Sequence, residues 1–281
     1  MTGEAQFQFD SFDSCRLVIN REFRPLLEAR GLTTFAALFD LQGGEVVRAV
    51  GHRTTARVVL SAGEFAEVFY LKRHQPPRLV DRLKPILHLS RPILGARTEW
   101  EAILRYHAAG VPTMTPVAFG ADGSRSLVMT RDLQTDRTLL DWANDLADRR
   151  NARRDAAHDG LAERRAIIAH VARIARRMHD CGLHHQDFYL NHMLFRGRPA
   201  ELDVRVIDLG RARHRSRLSR RWIIKDLAQL DFSARKLSCS DRLRFLRLYL
   251  GRPFRPADRW LIRQVMLKSW WIAGHTAKNN L

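Results

Sequence analysis

The order of apolar and polar positions divides the chain into a strand-rich first half and a helical second half. Residues 20–30 carry an amphipathic pattern and predict an opening helix. Glu45–Val50, Ala56–Leu60 and Glu67–Lys72 are β-branched or aromatic runs bounded by glycine-containing turns, and they predict three strands. Pro76, Pro77, Pro85 and Pro92 mark a loop-rich crossover. From about Thr98 to Ala109, Trp100, Ile103 and Leu104 share one helical stripe, which Gly110 stops. Val117–Phe119 and Ser126–Met129 predict two more strands. Helical periodicity returns at Leu139 to about Leu146 and from Leu161 to Cys181. A short hairpin follows, His192–Phe195 and Val204–Ile207 around a Gly197/Pro199 turn, and the chain is helical again after Trp222. There is no internal repeat. These elements predict an α+β fold with a β-rich N-terminal lobe over 1–130 and a helical C-terminal lobe over 131–281.

Composition narrows the class. At 281 residues, with 45% apolar and 28% charged positions, the chain has material for a real core and is neither disordered nor of low complexity. Its cysteines, Cys15, Cys181 and Cys239, are widely spaced, which gives no disulfide framework and no C-x-x-C zinc site. No apolar run approaches the ~20 residues of a spanning helix, and the N-terminus lacks a basic segment followed by an apolar one. A soluble protein of a reducing, intracellular compartment is expected.

Charge points to anionic partners. The 48 Lys+Arg against 30 Asp+Glu give +18, with arginine well ahead of lysine. Guanidinium favours bidentate contact with phosphate or carboxylate. The sharpest cluster runs from Arg211 through Arg213, Arg215, Arg217, Arg220 and Arg221 to Lys225 with no acidic residue. Aromatics are 9% of the chain and show no stacking pattern interleaved with that cluster, so recognition of single-stranded nucleic acid lacks support.

Three residues then fall in a telling order. Lys72 ends a strand, Asp187 follows a long helix in His184-His-Gln-Asp-Phe-Tyr-Leu-Asn-His192, and Asp208 ends a strand in Val206-Ile-Asp-Leu-Gly210. Phosphoryl transfer uses a cation on nucleotide phosphates, a carboxylate beside the attacking hydroxyl and a carboxylate on Mg²⁺. Singly, each residue has an ordinary structural explanation: an exposed strand-end lysine, a turn-forming aspartate, a strand exit. Together with a helix-borne glutamate and the hinge-like Leu127-Val-Met-Thr130, they follow the order of the protein-kinase signature set.

Further stretches carry a closer resemblance. Gly51-His-Arg-Thr-Thr55, Tyr70-Leu-Lys-Arg-His74, Arg91-Pro-Ile-Leu-Gly-Ala-Arg-Thr-Glu-Trp100, Gly110-Val-Pro-Thr-Met114, Asp187-x-Tyr-x-x-His192, Ile207-Asp-Leu-Gly-Arg-Ala212 and Arg221-Trp-Ile-Ile-Lys-Asp-Leu227 cover most of the chain from about 50 to 250. In these the sequence resembles the protein-kinase-like lipopolysaccharide kinases, the core heptose kinases of the WaaP/InaA type.

The resemblance implies a protein-kinase-like bilobal fold and ATP-dependent phosphorylation of a heptose hydroxyl on the lipopolysaccharide inner core. It implies Lys72 on the ATP phosphates, oriented by Glu99, with Glu101 as the competing partner. Arg53, Thr54 and Thr55 would cradle phosphates in place of a G-x-G-x-x-G loop, which is absent, and Met129, Thr130 and Arg131 would meet the nucleotide at the hinge. Asp187 would be the catalytic base and Asp208 the Mg²⁺ ligand. His192 stands where a protein kinase has its metal-binding asparagine, so either His192 or Asn191 would serve the metal, or His192 would bond a phosphate. Arg211, Arg213 and Arg215 would hold the anionic acceptor. Asp226 would tie down the catalytic loop or cap a helix, and a transition-metal site from His185, Asp187 and His192 is a further alternative. The implied location is the cytoplasmic face of the inner membrane, against its anionic surface, and an acidic protein such as acyl carrier protein is compatible with the charge. Two rival readings remain at this point: an aminoglycoside-type small-molecule kinase, and a catalytically silent kinase fold acting as a binding module.

Overall fold

The structure is a computed structural model and describes residues 7–62, 65–76, 95–135, 137–152 and 160–278. The chain forms two compact units, one of residues up to Ala108 with Met114–Leu133, the other of Ala109–Thr113 with Gln134 onward.

The first unit is built on β1 (Phe9–Phe12), β2 (Leu17–Asn20), α1 (Arg24–Ala29), α2 (Phe35–Phe39), β3 (Glu45–Val50), β4 (Arg53–Ala62), β5 (Phe65–His74), α3 (Arg97–Ala108), β6 (Pro116–Asp122) and β7 (Arg125–Arg131). Its strands make one antiparallel seven-stranded sheet in the order β1-β2-β6-β7-β5-β4-β3. Alternation along the central strands sends Phe69, Leu71, Leu127 and Met129 into a core closed by Phe35, Leu38 and Phe39 of α2. The intervening residues, Tyr70, Lys72 and Thr130 among them, share the opposite face, on which α3 lies with Trp100 stacked on Phe119.

The opening of the chain departs from expectation. The predicted helix over 20–30 shrinks to Arg24–Ala29, where Pro25 suits a helix start, and two strands precede it. These strands turn through Asp13, Ser14 and Cys15, all at positive φ, so no glycine advertises the hairpin. The α2 helix, whose Thr34 hydroxyl accepts from the Ala37 amide at 3.2 Å, was likewise unexpected. The proline-marked crossover falls, beyond Pro76, outside the described residues.

The second unit contains α4 (Leu139–Ala152), α5 (Leu161–Asp180), β8 (Leu183–His184), β9 (Met193–Arg196), β10 (Asp203–Val206), β11 (Arg213–His214), α6 (Arg220–Ser233), α7 (Cys239–Leu250) and α8 (Asp258–Lys278). The expected hairpin is β9–β10, and β8 pairs with β11 beside it. At Gly182, φ is +70°, and a Cβ there would run into the Arg215 carbonyl, whose residue donates its own amide to the Gly182 carbonyl at 2.9 Å. Only glycine permits that close approach, and it brings β8 against β11, the strand after Asp208. An apolar cavity lies among α4, α5, α6 and α7, lined by Trp142, Ile168, Leu230 and Phe245.

Candidate active site

In the first unit, register determines which predicted residues share a surface. Thr55 pairs with Lys72, Arg53 with His74 and Tyr70 with Thr130, and directly opposed residues of an antiparallel pair point the same way. Arg53, Thr55, Lys72 and Thr130 therefore share the face covered by α3, whereas Thr54, Met129 and Arg131 lie on the other. Met129 is fully buried in the core, and the Arg131 guanidinium is held by Glu67 at 3.1 Å and Glu22 at 3.3 Å. The backbone of Met129–Arg131 is in register with β5, so the hinge-like stretch is mid-sheet rather than a free edge.

On the α3 side, Lys72 Nζ meets Glu99 Oε1 at 2.6 Å. Glu99 is buried in the first turn of α3, where the helix dipole favours a carboxylate. Glu101 is exposed and pairs with Arg97 at 3.9 Å. Burial pushes the nearby His74 down to about 4, with Arg53, Lys72 and His52 adding to the shift. That environment is cationic and suits an anionic ligand.

In the second unit, the loop 185–192 is held from below by α6. Asp226 accepts the amides of His185 and Gln186, both at 2.9 Å, and His179 Nε2 approaches it at 3.3 Å. Burial alone would raise the Asp226 pKa, but these donors outweigh it and hold the carboxyl below its ordinary value. Asp226 lies mid-helix, so it anchors the loop and caps nothing. Gln229 accepts the Phe188 amide at 3.0 Å and donates to the Gln186 carbonyl at 2.6 Å, while Ser233 accepts the Leu190 amide at 3.0 Å. Asp226, Gln229 and Ser233 fall at i, i+3 and i+7 on one helical face. Sequence reasoning missed the last two; the signal was three polar residues on a face otherwise marked for burial.

This anchoring holds backbone geometry that is costly by itself. Gln186 has φ of 71° and Asp208 of 59°, left-handed positions disfavoured for non-glycine residues by roughly 1–3 kcal/mol each. Gln186 is further tied by its side-chain amide to the Arg211 carbonyl at 2.9 Å. His185 links the two loops: Nε2 donates to the Ile207 carbonyl at 3.0 Å, and Nδ1 accepts the Asp187 amide at 3.2 Å. Both ring nitrogens are thus engaged, burial keeps the ring neutral, and His185 is not a metal ligand. No group of three metal-binding side chains occurs among the described residues.

Around Asp187 the structure gathers three predicted residues. His192 Nδ1 donates to the Asp187 carbonyl at 2.7 Å, which fixes the tautomer and directs the Nε2 lone pair toward Asp208 Oδ2, 3.8 Å away. Arg211 Nη1 lies 3.5 Å from Asp187 Oδ2. The Asp208 carboxylate is an oxygen donor of the kind Mg²⁺ takes beside phosphate oxygens and water, whereas the His192 imidazole is an unusual ligand for so hard a cation. Asn191 is exposed at the surface of the adjoining turn.

The predicted acceptor arginines do not form one cluster. Arg211 stands at Asp187, Arg213 donates to the Ala212 carbonyl at 2.8 Å, and Arg215 joins Arg221 and Lys225 around the Trp222 ring, at 5.8, 4.6 and 5.7 Å. Trp222 thus gathers three cations of the basic run through cation–π contact, an aromatic role within the run that the sequence reading did not foresee. Burial lowers the Lys225 pKa, with Asp187 and Asp226 opposing that shift.

A sheet lysine salt-bridged to a helix glutamate in the first unit, and in the second a loop aspartate near Arg211 and a strand-end aspartate facing His192, are the features expected of a phosphotransferase of the protein-kinase-like class. The comparisons with known proteins are specific within it. Residues 39–249 match the Lipopolysaccharide kinase (Kdo/WaaP) family, and the chain belongs to that family. It is 37% identical to the lipopolysaccharide core heptose(I) kinase WaaP of Escherichia coli K12 over 266 residues, 90% of this chain and 96% of that protein. Identity to the heptose(I) kinase WaaP of Pseudomonas aeruginosa is 36% over 251 residues, 85% of this chain and 88% of that one. Among solved structures it is similar to WaaP in complex with acyl carrier protein, with a TM-score of 0.69, 33% identity, and coverage of 90% of this chain and 99% of that one.

Proposed function

We propose that this kinase transfers the γ-phosphoryl group of ATP to a heptose hydroxyl of the lipopolysaccharide inner core. The observation that carries the reading is the catalytic loop itself: Asp187 flanked by Arg211, with His192 turned by the Asp187 carbonyl toward Asp208. It stands in a chain whose relatives, similar over nearly their whole length, are heptose(I) kinases.

Lys72, oriented by Glu99, binds the nucleotide phosphates, and Arg53 and Thr55 add donors on the same face of the sheet. Asp187 accepts the proton of the sugar hydroxyl as its oxygen attacks the γ-phosphorus and the bond to the ADP oxygen breaks. Arg211 stands beside that carboxylate and offsets negative charge that develops on the transferring group. Asp208 and His192 would hold Mg²⁺, which neutralises phosphate charge when bound. The cationic surface supports an acceptor bearing carboxylates and phosphates, and an acidic protein partner in the manner of the acyl carrier protein bound by the similar structure. No helix among the described residues is long and apolar enough to cross a membrane, and we place the enzyme peripherally on the anionic cytoplasmic face of the inner membrane.

The test is transfer from labelled ATP to heptose-containing lipopolysaccharide lacking core phosphate, beside soluble aminoglycosides. Label on the former alone is expected. Label on aminoglycoside instead would replace the acceptor, and ATP binding without transfer to either would remove the reading.

A further inference from the structure

The C-terminal helix α8 is apolar on both sides, and among the described residues one side packs within the fold while the other is exposed. Its inner side sends Val265, Leu261 and Ile272 against Leu227, Ala228 and Ile223 of α6. Its outer side carries Trp260, Met266, Leu267, Trp270 and Trp271, which are 48, 55, 55, 78 and 61% exposed. At about 100° per residue these five fall within one stripe about 140° wide that Arg263 shares, so they form a single face of mixed apolar and basic character rather than scattered positions.

Charge is distributed to match. Asp258 opens the helix and is locked to Arg252 at 2.7 Å; after it α8 has no acidic residue, while Arg259, Arg263 and Lys268 run along it. Arg259 and Arg263 are exposed, Lys268 Nζ sits 3.8 Å above the Trp271 ring, and Arg220 of the basic run lies 5.5 Å from the Trp260 ring. Tryptophan bordered by cations is the composition of a helix lying in the headgroup region, where the indole meets both apolar and polar surroundings and the cations meet anionic lipid. A second copy would bring a chain of +18 against another of +18, which argues against self-association through this face.

We infer that the outer face of α8 docks the protein on an anionic bilayer, with Trp260, Trp270 and Trp271 inserted at headgroup level. The inference rests on the proposed function, since an acceptor anchored in lipid A keeps such a surface within reach of the enzyme.

The experiment is co-sedimentation of the full chain with sucrose-loaded vesicles of phosphatidylcholine and phosphatidylglycerol, beside vesicles of phosphatidylcholine alone. The double variant Trp270→Ser/Trp271→Ser is expected to bind the anionic vesicles about tenfold or more weakly, from the apolar area that two indoles bring to the bilayer. Thermal unfolding checks that it is folded, and Arg259→Glu/Arg263→Glu tests the same face without removing an aromatic ring. Wild-type protein should bind the anionic vesicles, and less so as salt rises. Equal binding by wild type and both variants, no binding by wild type, or variants that keep vesicle binding while losing an acidic carrier protein would each overturn the inference. Transfer to detergent-dispersed acceptor by the same proteins reports separately on the proposed function, because it requires no bilayer.

Discussion

His192 Nδ1 donates to the main-chain carbonyl of Asp187 at 2.7 Å, and this single bond aims the other ring nitrogen at Asp208. A histidine so oriented resembles metal-binding histidines, whose tautomer is set by the bond on the far nitrogen. His192→Phe should therefore raise the Mg²⁺ concentration needed for half-maximal transfer by about 10–100-fold while leaving thermal stability near wild type. A titration of activity against Mg²⁺ checks this. An unchanged requirement would remove His192 from the metal site and leave it as a loop brace.

The Lys72–Glu99 salt bridge makes a second demand. Glu99→Gln keeps the shape of the side chain but removes the charge that orients the ammonium. Mispositioning of a phosphate-binding group costs on the order of 10²-fold in kcat/KM. Glu101→Gln, at an exposed position paired with Arg97, should be nearly silent. Steady-state kinetics in ATP on both variants tests the assignment, and equal losses would contradict it.

Asp226 is a stability prediction. It is fully buried and accepts two loop amides. Asp226→Ala strands those donors and should destabilise the protein by about 3–5 kcal/mol, with transfer lost as the loop relaxes. Asp226→Asn retains one acceptor oxygen and should fall between. Chemical denaturation of the three proteins gives the order; an alanine variant as stable as wild type would mean that the loop is held elsewhere.

Two histidines set an acid limit. His184 is buried against the Trp222 ring, 4.5 Å between centroids, and neither of its ring nitrogens has a hydrogen-bond partner among the described residues. Burial pushes it down to about 4, with Arg215, Lys225 and His179 adding and Asp226 opposing; His74 is likewise pushed down to about 4. Both folded values lie below the ordinary 6.5, so on acidification the unfolded chain takes up these protons first. Their stabilisation is complete above about pH 6.5 and is lost progressively as pH falls toward 4. The Tm should decline through that window, and His184→Phe should flatten part of the decline. A Tm independent of pH between those limits would contradict the burial of both rings.

Much of this was legible in the sequence, and the misses have physical causes. Strand alternation around Lys72 and the helical stripe of Trp100 and Ile103 come through because periodic burial writes itself into residue order. The β1–β2 hairpin does not, because Asp13, Ser14 and Cys15 adopt positive φ without glycine, held in part by Arg16 on the Asp13 carboxylate at 2.6 Å. Lys72, Asp187 and Asp208 were nominated from motif order, and the structure adds the partners each one meets: Glu99, Arg211 and His192. Which of Arg53, Thr54, Thr55, Met129, Thr130 and Arg131 share the lysine's face depends on β4–β5–β7 register, a long-range property that local sequence does not encode. Gln229 and Ser233 were missed for a related reason: they satisfy backbone groups of a loop about 40 residues earlier, and no motif links the two.

The central claim is that Asp187 carries the chemistry of phosphoryl transfer. The most direct measurement is the single-turnover rate of transfer from ATP to heptose-containing lipopolysaccharide by wild type and Asp187→Asn, with ATP binding and unfolding measured on both. The prediction is a rate reduced by about 10²–10⁴-fold, with nucleotide affinity and stability preserved. A folded, ATP-binding Asp187→Asn protein that transfers phosphate at the wild-type rate would contradict it.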